Sequence, residues 1–246
     1  LNPVKQRIAE EIFQELVTAD FAEFVQTPVH SSPVVLIIYP DGKKPRLTGD
    51  FSGSGGINDN TIPIAANLPN IADVLEFLTK ANFIATFDLP KAFWQLCLHN
   101  KDRDKTTLSI PGKSIRFKRA CFGLKNVPAI FQNVMMEIFD MEGVFIYMDD
   151  IIVIGDSFET LSMRIREVLR RARNKRVTIG LRKNKIVTSN HKICVLGTVF
   201  QHKTRSITQS RVDSLLNFPR PTTVKEVRSL VGSINFIRDW LVGIAD

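Results

Sequence analysis

Two apolar segments, Val144-Phe145-Ile146 and Ile151-Ile152-Val153-Ile154, flank Tyr147-Met148-Asp149-Asp150, and this run constrains the chain more than any other. Its β-branched, period-2 character reads as strand, tight turn, strand, with Met148 and Asp149 at the bend. Two adjacent carboxylates beside greasy strands repel each other and lose hydration, a cost that a hard divalent cation bound through oxygen offsets. An ordinary exposed Asp-Asp turn satisfies the same four letters, so the rest of the chain has to decide.

With 246 residues, 44% of them apolar, the chain allows one large domain or two small ones with ample core, and reads as a soluble globular protein. No apolar run approaches the roughly 20 residues of a membrane span, and Leu1-Asn2-Pro3 does not open a signal peptide. No membrane is therefore expected, and the cytoplasm or nucleus is the default location. Cys97, Cys121 and Cys194 are scattered without metal-ligand spacing, which disfavours a disulfide framework or a zinc site.

Charge is unevenly placed. Up to residue 160, 15 Lys/Arg face 20 Asp/Glu, a net −5; beyond it 18 face 5, a net +13. A basic last third on a slightly acidic body suggests polyphosphate contact on one side and metal chemistry on the other. Arg170, Arg171 and Arg173 lie in the densest basic run and are expected to touch phosphates, or else to form a solvated helix face.

Asn2 caps and Pro3 opens a first helix with Ile8, Ile12, Phe13 and Leu16 on one face. Ile71, Val74, Leu75 and Leu78 mark a second; Pro128 opens a third with Phe131, Val134, Met135, Ile138 and Phe139 inward. Leu161, Ile165, Val168, Leu169 and Ala172 stripe a fourth, and Thr223 to Glu226 is a capping box that starts a last one. Strands are expected at Val34–Tyr39, Phe83–Asp88, Thr107–Ile110, Ser114–Phe117, Val144–Ile154 and Ile193–Phe200. Helices that interrupt hairpins irregularly indicate an α+β architecture, an antiparallel sheet backed by helices rather than a doubly wound parallel sheet. Gly53–Gly56 lacks the Lys and following helix of a phosphate loop and reads as a flexible turn.

Asp88 ends the apolar strand Phe83–Phe87. If that strand lies beside the Tyr147–Asp150 hairpin, Asp88 and Asp149 can face the same pair of metals, as two-metal phosphoryl transfer needs.

The segments SSPVVLIIYPDGKKPRL, FIATFDLPKAFWQL, FKRACFGLKNVPAIFQNVM, VFIYMDDIIVIG, VLGTVF and NFPRPTTVKEVRSLVGSINFIRDW occur in this order. Together they resemble, over nearly the whole chain, the reverse transcriptase domain of gypsy-type long-terminal-repeat retrotransposons, relatives of retroviral polymerases. The resemblance implies a right-hand polymerase: fingers with the start of the palm over 1–85; palm with Asp88 and a return to the fingers over 86–120; palm with the YMDD hairpin and primer grip over 121–206; and the start of the thumb over 207–246.

By the same resemblance Asp88, Asp149 and Asp150 are the catalytic carboxylates. Asp88 and Asp149 would bind two Mg2+ (or Mn2+) ions directly, the Leu89 carbonyl would be an extra ligand, and Asp150 a supporting anion. Arg46, with Lys43 or Lys44, would grip the triphosphate of an incoming nucleotide; Lys91, Ala92, Phe93 and Phe122 would line its pocket, with Phe93 excluding a 2′-hydroxyl. Lys185 would protonate the leaving pyrophosphate or clamp a phosphate together with Arg182 and Lys183. Leu196, Gly197, Thr198, Val199 and Phe200 resemble the primer grip. The chain departs from the pattern at Gly49, Ser52, Pro90 and Lys91.

The reading that results is an RNA-directed DNA polymerase that extends a primer 3′ end with dNTPs on an RNA or DNA template. A homodimer or other domains of a larger polyprotein are compatible partners, and a virus-like particle a compatible setting. No nuclease of the hybrid's RNA is expected, since after residue 200 only Asp213, Glu226, Asp239 and Asp246 remain as acids. The alternative is a domesticated, non-catalytic nucleic-acid-binding or scaffold protein that keeps the fold.

Overall fold

The structure, a computed structural model, describes residues 2–188 and 190–240. The last residues assigned to the thumb, 241–246 with Asp246, and the side chains of Arg182, Lys183, Asn184 and Asp239 lie outside the described residues.

Asn2 accepts a hydrogen bond from Lys5 N–H at 2.8 Å and Pro3 opens α1 (Pro3–Thr18), as the capping pattern predicts. Then follow β1 (Ala22–Phe24), β2 (Ser32–Ile37), β3 (Arg46–Gly49), α2 (Ile71–Lys80) and β4 (Phe83–Asp88). β5 (Leu108–Ile110), β6 (Lys113–Phe117), α3 (Val127–Ile138), β7 (Val144–Tyr147), β8 (Asp150–Gly155) and α4 (Phe158–Lys175) come next. The remainder comprises β9 (Gly180–Thr188), β10 (Ile193–Val195), β11 (Thr198–Gln201), β12 (Thr204–Ile207), α5 (Gln209–Leu216) and α6 (Val224–Ile237). Among the described residues three sheets result, with strand orders β1-β6-β5-β2-β3, β10-β11-β12 and β7-β8-β4-β9. The mixture of helices and mainly antiparallel sheets is the expected α+β class; β2 and β5 form a parallel pair.

The chain divides into two compact units, one of residues 1–69, 87–152 and 165–184, the other of residues 70–86, 153–164 and 185–246. In the first, α1 packs Ala9 and Phe13 on the five-stranded sheet, against Phe51, Leu108, Ile115 and Phe117, all at most 2% exposed. Full burial of each large side chain contributes roughly 1.5–3 kcal/mol. The centre of the α1 face is thus Ala9 and Phe13, with Ile8, Ile12 and Leu16 only half-buried beside them. In the second unit β10, β11 and β12 form an antiparallel meander, and the capping box at Thr223 and Glu226 opens α6 as predicted. Leu169, expected inward on α4, is exposed.

β3 ends at Gly49, one of the positions singled out in the sequence. Gly49 is buried opposite Val34, and a Cβ there would sit 2.5 Å from the Phe51 ring and 2.6 Å from Leu108. The sheet position has no side chain because the Phe51 ring fills its space. Gly49→Ala is expected to destabilise the protein by about 1–3 kcal/mol through overpacking. Gly53→Ala, with nothing within 4 Å of the added methyl, should be near neutral. Urea denaturation of the pair checks this; equal midpoints would show that the sheet yields at no cost.

Candidate active site

Met148 and Asp149 form a two-residue turn between β7 and β8. Met148 has φ 51° and Asp149 is not in the left-handed region, the sign pattern of a type II′ turn, whose first position ordinarily takes glycine. A side chain there persists only where the surroundings over-determine it. Gln132 does this. It is fully buried on α3, accepts from Met148 N–H at 2.7 Å, and donates from Nε2 to the Ile146 carbonyl at 2.9 Å.

The end of β4 is fixed to the same turn, because Leu89 N–H donates to the Asp149 carbonyl at 2.8 Å. Asp88 is half-buried, Asp149 exposed, Asp150 half-buried and Leu89 buried. The backbone of Gly180, at the start of β9, passes so close that a Cβ would lie 3.3 Å from the Asp88 carbonyl and 3.4 Å from its Oδ2. Among the described residues no three His, Cys, Asp or Glu side chains form a metal-ready group. Two carboxylates and a carbonyl nevertheless fit Mg2+, which is usually held by one or two carboxylates and completed by water and substrate phosphates.

The other expected residues of the first unit are held by contacts of their own. Phe93, on a short 3-10 turn, packs against Phe122 at 5.0 Å and edge-on against Phe131 at 5.7 Å. The Phe122-Gly123 loop is bonded to β3, with Thr48 Oγ1 donating to the Phe122 carbonyl at 2.9 Å and Asn58 Nδ2 to the Gly123 carbonyl at 2.7 Å. Gly123 has φ 98° and a Cβ there would meet the Gly49 carbonyl at 2.5 Å, so neither glycine of this contact has room for a side chain. Arg46, at the other end of β3, is exposed with its guanidinium 5.8 Å from the Tyr39 ring centre. Lys43 pairs with Asp41 at 2.5 Å and Lys44 with Glu15 at 2.6 Å. Both pairs are exposed, worth little, and easily exchanged for a phosphate.

Ser52 uses its hydroxyl and N–H to bind Asp50 Oδ1, which holds the Asp50 carboxyl below its usual range. Lys91 places its ammonium over the Phe21 ring at 4.8 Å. Ala92 begins the turn that carries Phe93.

Lys185 and the 196–200 segment belong to the second unit. Lys185 is exposed on β9; Leu196 and Gly197, with φ 50° and 76°, form the tight turn between β10 and β11, while Thr198, Val199 and Phe200 are buried on β11. The arginines of α4 are partly committed elsewhere. Arg170 grips Glu167 through Nε and Nη2 at 2.7 and 2.6 Å; Arg171 holds Glu167 and the carbonyls of Ile138 and Asp140. Hydrogen bonds from Arg170 and then Arg171 pull the Glu167 carboxyl down to about 2. Arg173 stays exposed.

Gln132 and Gly180 were not singled out by sequence reasoning. The available signal was a lone glutamine on the buried face shared by Phe131 and Met135; Gly180 opens a strand that the sequence does not announce and carried none. Gln132→Leu should cost about 1–3 kcal/mol by orphaning the Met148 N–H and Ile146 carbonyl. Amide exchange at Met148 should then accelerate; unchanged protection in a folded variant would show that the turn holds without the glutamine.

Residues 54–200 match the family model described as reverse transcriptase (RNA-dependent DNA polymerase). The chain is 30% identical over 193 residues to the genome polyprotein of Petunia vein clearing virus (isolate Shepherd), covering 77% of this chain and 9% of that protein. It is 30% identical over 246 residues to the retrovirus-related Pol polyprotein from transposon 412 of Drosophila melanogaster, covering 99% of this chain and 19% of that one. The chain therefore spans a fifth or less of these relatives. Its fold is that of the foamy viral protease-reverse transcriptase solved with double-stranded DNA: TM-score 0.82, 23% identity, over 94% of this chain and 40% of the other. The same viral protein with an RNA/DNA hybrid gives 0.78 at 22% identity, over 97% and 31%.

Proposed function

Because the chain belongs to the reverse transcriptase (RNA-dependent DNA polymerase) family, we propose that it extends a primer 3′ end with deoxynucleotides on an RNA or DNA template. The observation that carries this reading is the Leu89 to Asp149 backbone hydrogen bond, which sets the end of the Asp88 strand against the turn that holds Asp149. Asp88, Asp149 and the Leu89 carbonyl would hold magnesium, or manganese in its place, with Asp150 as a supporting anion. Two such ions would lower the pKa of the primer hydroxyl and neutralise charge on the leaving pyrophosphate.

The chain's own residues supply position and selectivity. Arg46, assisted by Lys43 or Lys44, grips the triphosphate, since a planar guanidinium fork matches phosphate oxygens and an ammonium acts as a mobile point charge. Ala92, Phe93 and Phe122 line the sugar side, and the Phe131 contact stiffens Phe93 against a 2′-hydroxyl. Lys185 offers a proton or a cation to the leaving group, and the turn at Leu196-Gly197 with Thr198, Val199 and Phe200 holds the primer end. Fingers over 1–85, palm over 86–206 with a return to the fingers before residue 120, and thumb from 207 are parts of the same proposal. The complexes of the foamy viral neighbour with double-stranded DNA and with an RNA/DNA hybrid support a primer-template as partner.

Asp149→Asn should lower the primer-extension rate at least about a hundredfold while leaving folding and duplex affinity nearly intact, since it removes a metal ligand and no phosphate contact. A rate within about tenfold of wild type would refute the carboxylate's role. Phe93→Val should lower the ratio of kcat/KM for deoxy- over ribonucleotides, because selectivity here is steric. An unchanged ratio in an active variant would make Phe93 a core residue of the Phe122 and Phe131 cluster alone.

A further inference from the structure

Pro90 and Lys91, which follow directly on Asp88 and Leu89, also line a cavity of about 400 Å³. Among the described residues its charged lining is Lys91, Arg119 and Arg176, and none of those that line it is acidic. Like charges gathered in one concavity repel unless an anion joins them. The partners these cations have within the protein are weak. Arg119 donates to Cys97 Sγ at 3.0 Å, a poor acceptor, and Asp20, whose carboxyl feels the Arg119 charge, is already bonded by Lys118 at 2.5 Å.

Two of the three cations stand where the backbone favours glycine. Lys91 has φ 53° and Arg176 φ 57°. Arg176 closes α4: Val177 N–H reaches back to the Ala172 carbonyl at 2.8 Å, and Arg176 N–H to that of Arg173 at 3.2 Å, a terminus that glycine ordinarily completes. A Cβ is disfavoured in this region, so folding alone would select glycine or asparagine at both positions. The sequence instead supplies a lysine and an arginine, and both line the same cavity.

The walls favour charge recognition over base stacking. Phe21 and Trp94 already stack on each other at 5.2 Å and 18°, Trp94 also meets Phe117, and the Lys91 ammonium stands over Phe21. The remaining wall is fixed by Gln95, whose Nε2 donates to the carbonyls of Pro90 and Thr178, each at 3.0 Å, and whose Oε1 accepts from Thr178 N–H at 2.8 Å. Two residues beyond Thr178, Gly180 abuts Asp88. Side chains that only donate select a ligand rich in acceptor oxygens. At about 30 Å³ per water, the volume admits linked phosphates with bridging waters rather than a single phosphate tightly held.

We propose that this cavity binds a small oligophosphate anion, pyrophosphate or the tail of a free nucleoside triphosphate, at a site separate from the metal-binding carboxylates. Through Pro90, Gln95 and Thr178 its occupancy is coupled to the segments that position Asp88. The site does not require the polymerase reading: Lys91 also belongs to the expected nucleotide pocket, but Arg119 and Arg176 do not, and none of the three is a proposed metal ligand.

The test is calorimetric titration of the full chain in EDTA with pyrophosphate and, separately, with dATP. Wild type and Asp149→Asn should bind alike. Arg176→Gly, which touches no proposed substrate residue, and K91G/R176G should bind about tenfold or more weakly, while melting no lower than wild type because the left-handed positions are relieved. The asparagine pair, K91N/R176N, is a second neutral variant should the glycine pair melt lower. Pyrophosphate binding without dATP binding assigns the site to the free diphosphate, and matching constants assign it to the shared phosphate tail. Undiminished affinity in the variants, equal binding of sulfate at the same ionic strength, or a response to a single-stranded oligonucleotide alone would each overturn the proposal.

Discussion

A turn with Met148 in the left-handed region and two successive carboxylates is not a conformation that the local chain selects for itself. It is held from one side by the buried amide of Gln132, which satisfies the Met148 N–H and the Ile146 carbonyl, and from the other by the Leu89 N–H on the Asp149 carbonyl. In a low-dielectric interior these bonds are strong when made and costly when lost, so the turn has one arrangement. The placement of Asp88 beside Asp149 depends on that restraint, and the proposed chemistry depends on that placement.

The first unit also relies on missing side chains. Gly49, Gly123 and Gly180 each allow another backbone or ring to approach where a methyl would collide or press: the Phe51 ring, the Gly49 carbonyl and Asp88. Gly49 is thus half of a contact with Gly123, and it brings the strand of Arg46 onto the loop of Phe122. From that loop the Phe122 ring meets Phe93.

Cations divide by what they already hold. Arg170 and Arg171 form a fork on Glu167, and Arg171 also ties α4 to the carbonyls after α3, so these two serve folding before they can serve a phosphate. Lys43 and Lys44 sit in exposed pairs that a polyanion can displace. Lys91 and Arg176 hold strained positions around a cavity that, among the described residues, is lined by no acid. Net charge alone does not separate these cases.

The sequence by itself determined the caps of α1 and α6, the α+β class, the family, and the identity of the acids at the strand end and the turn. Caps, turns and apolar periods act within a few residues, so they are written in consecutive letters. β3 and β9 were not expected as strands, because one is short and ends in glycine and the other is rich in charge; β3 is held by pairing with the preceding strand β2, and β9 by lying beside β4, about a hundred residues earlier. Only the tertiary structure decided that Gln132 restrains a turn 16 residues away, that Thr48 binds a carbonyl 74 residues away, and that Gly180 leaves room for Asp88. These are contacts between segments far apart in the chain, where the meaning of a glutamine or a glycine is set by what the fold brings against it.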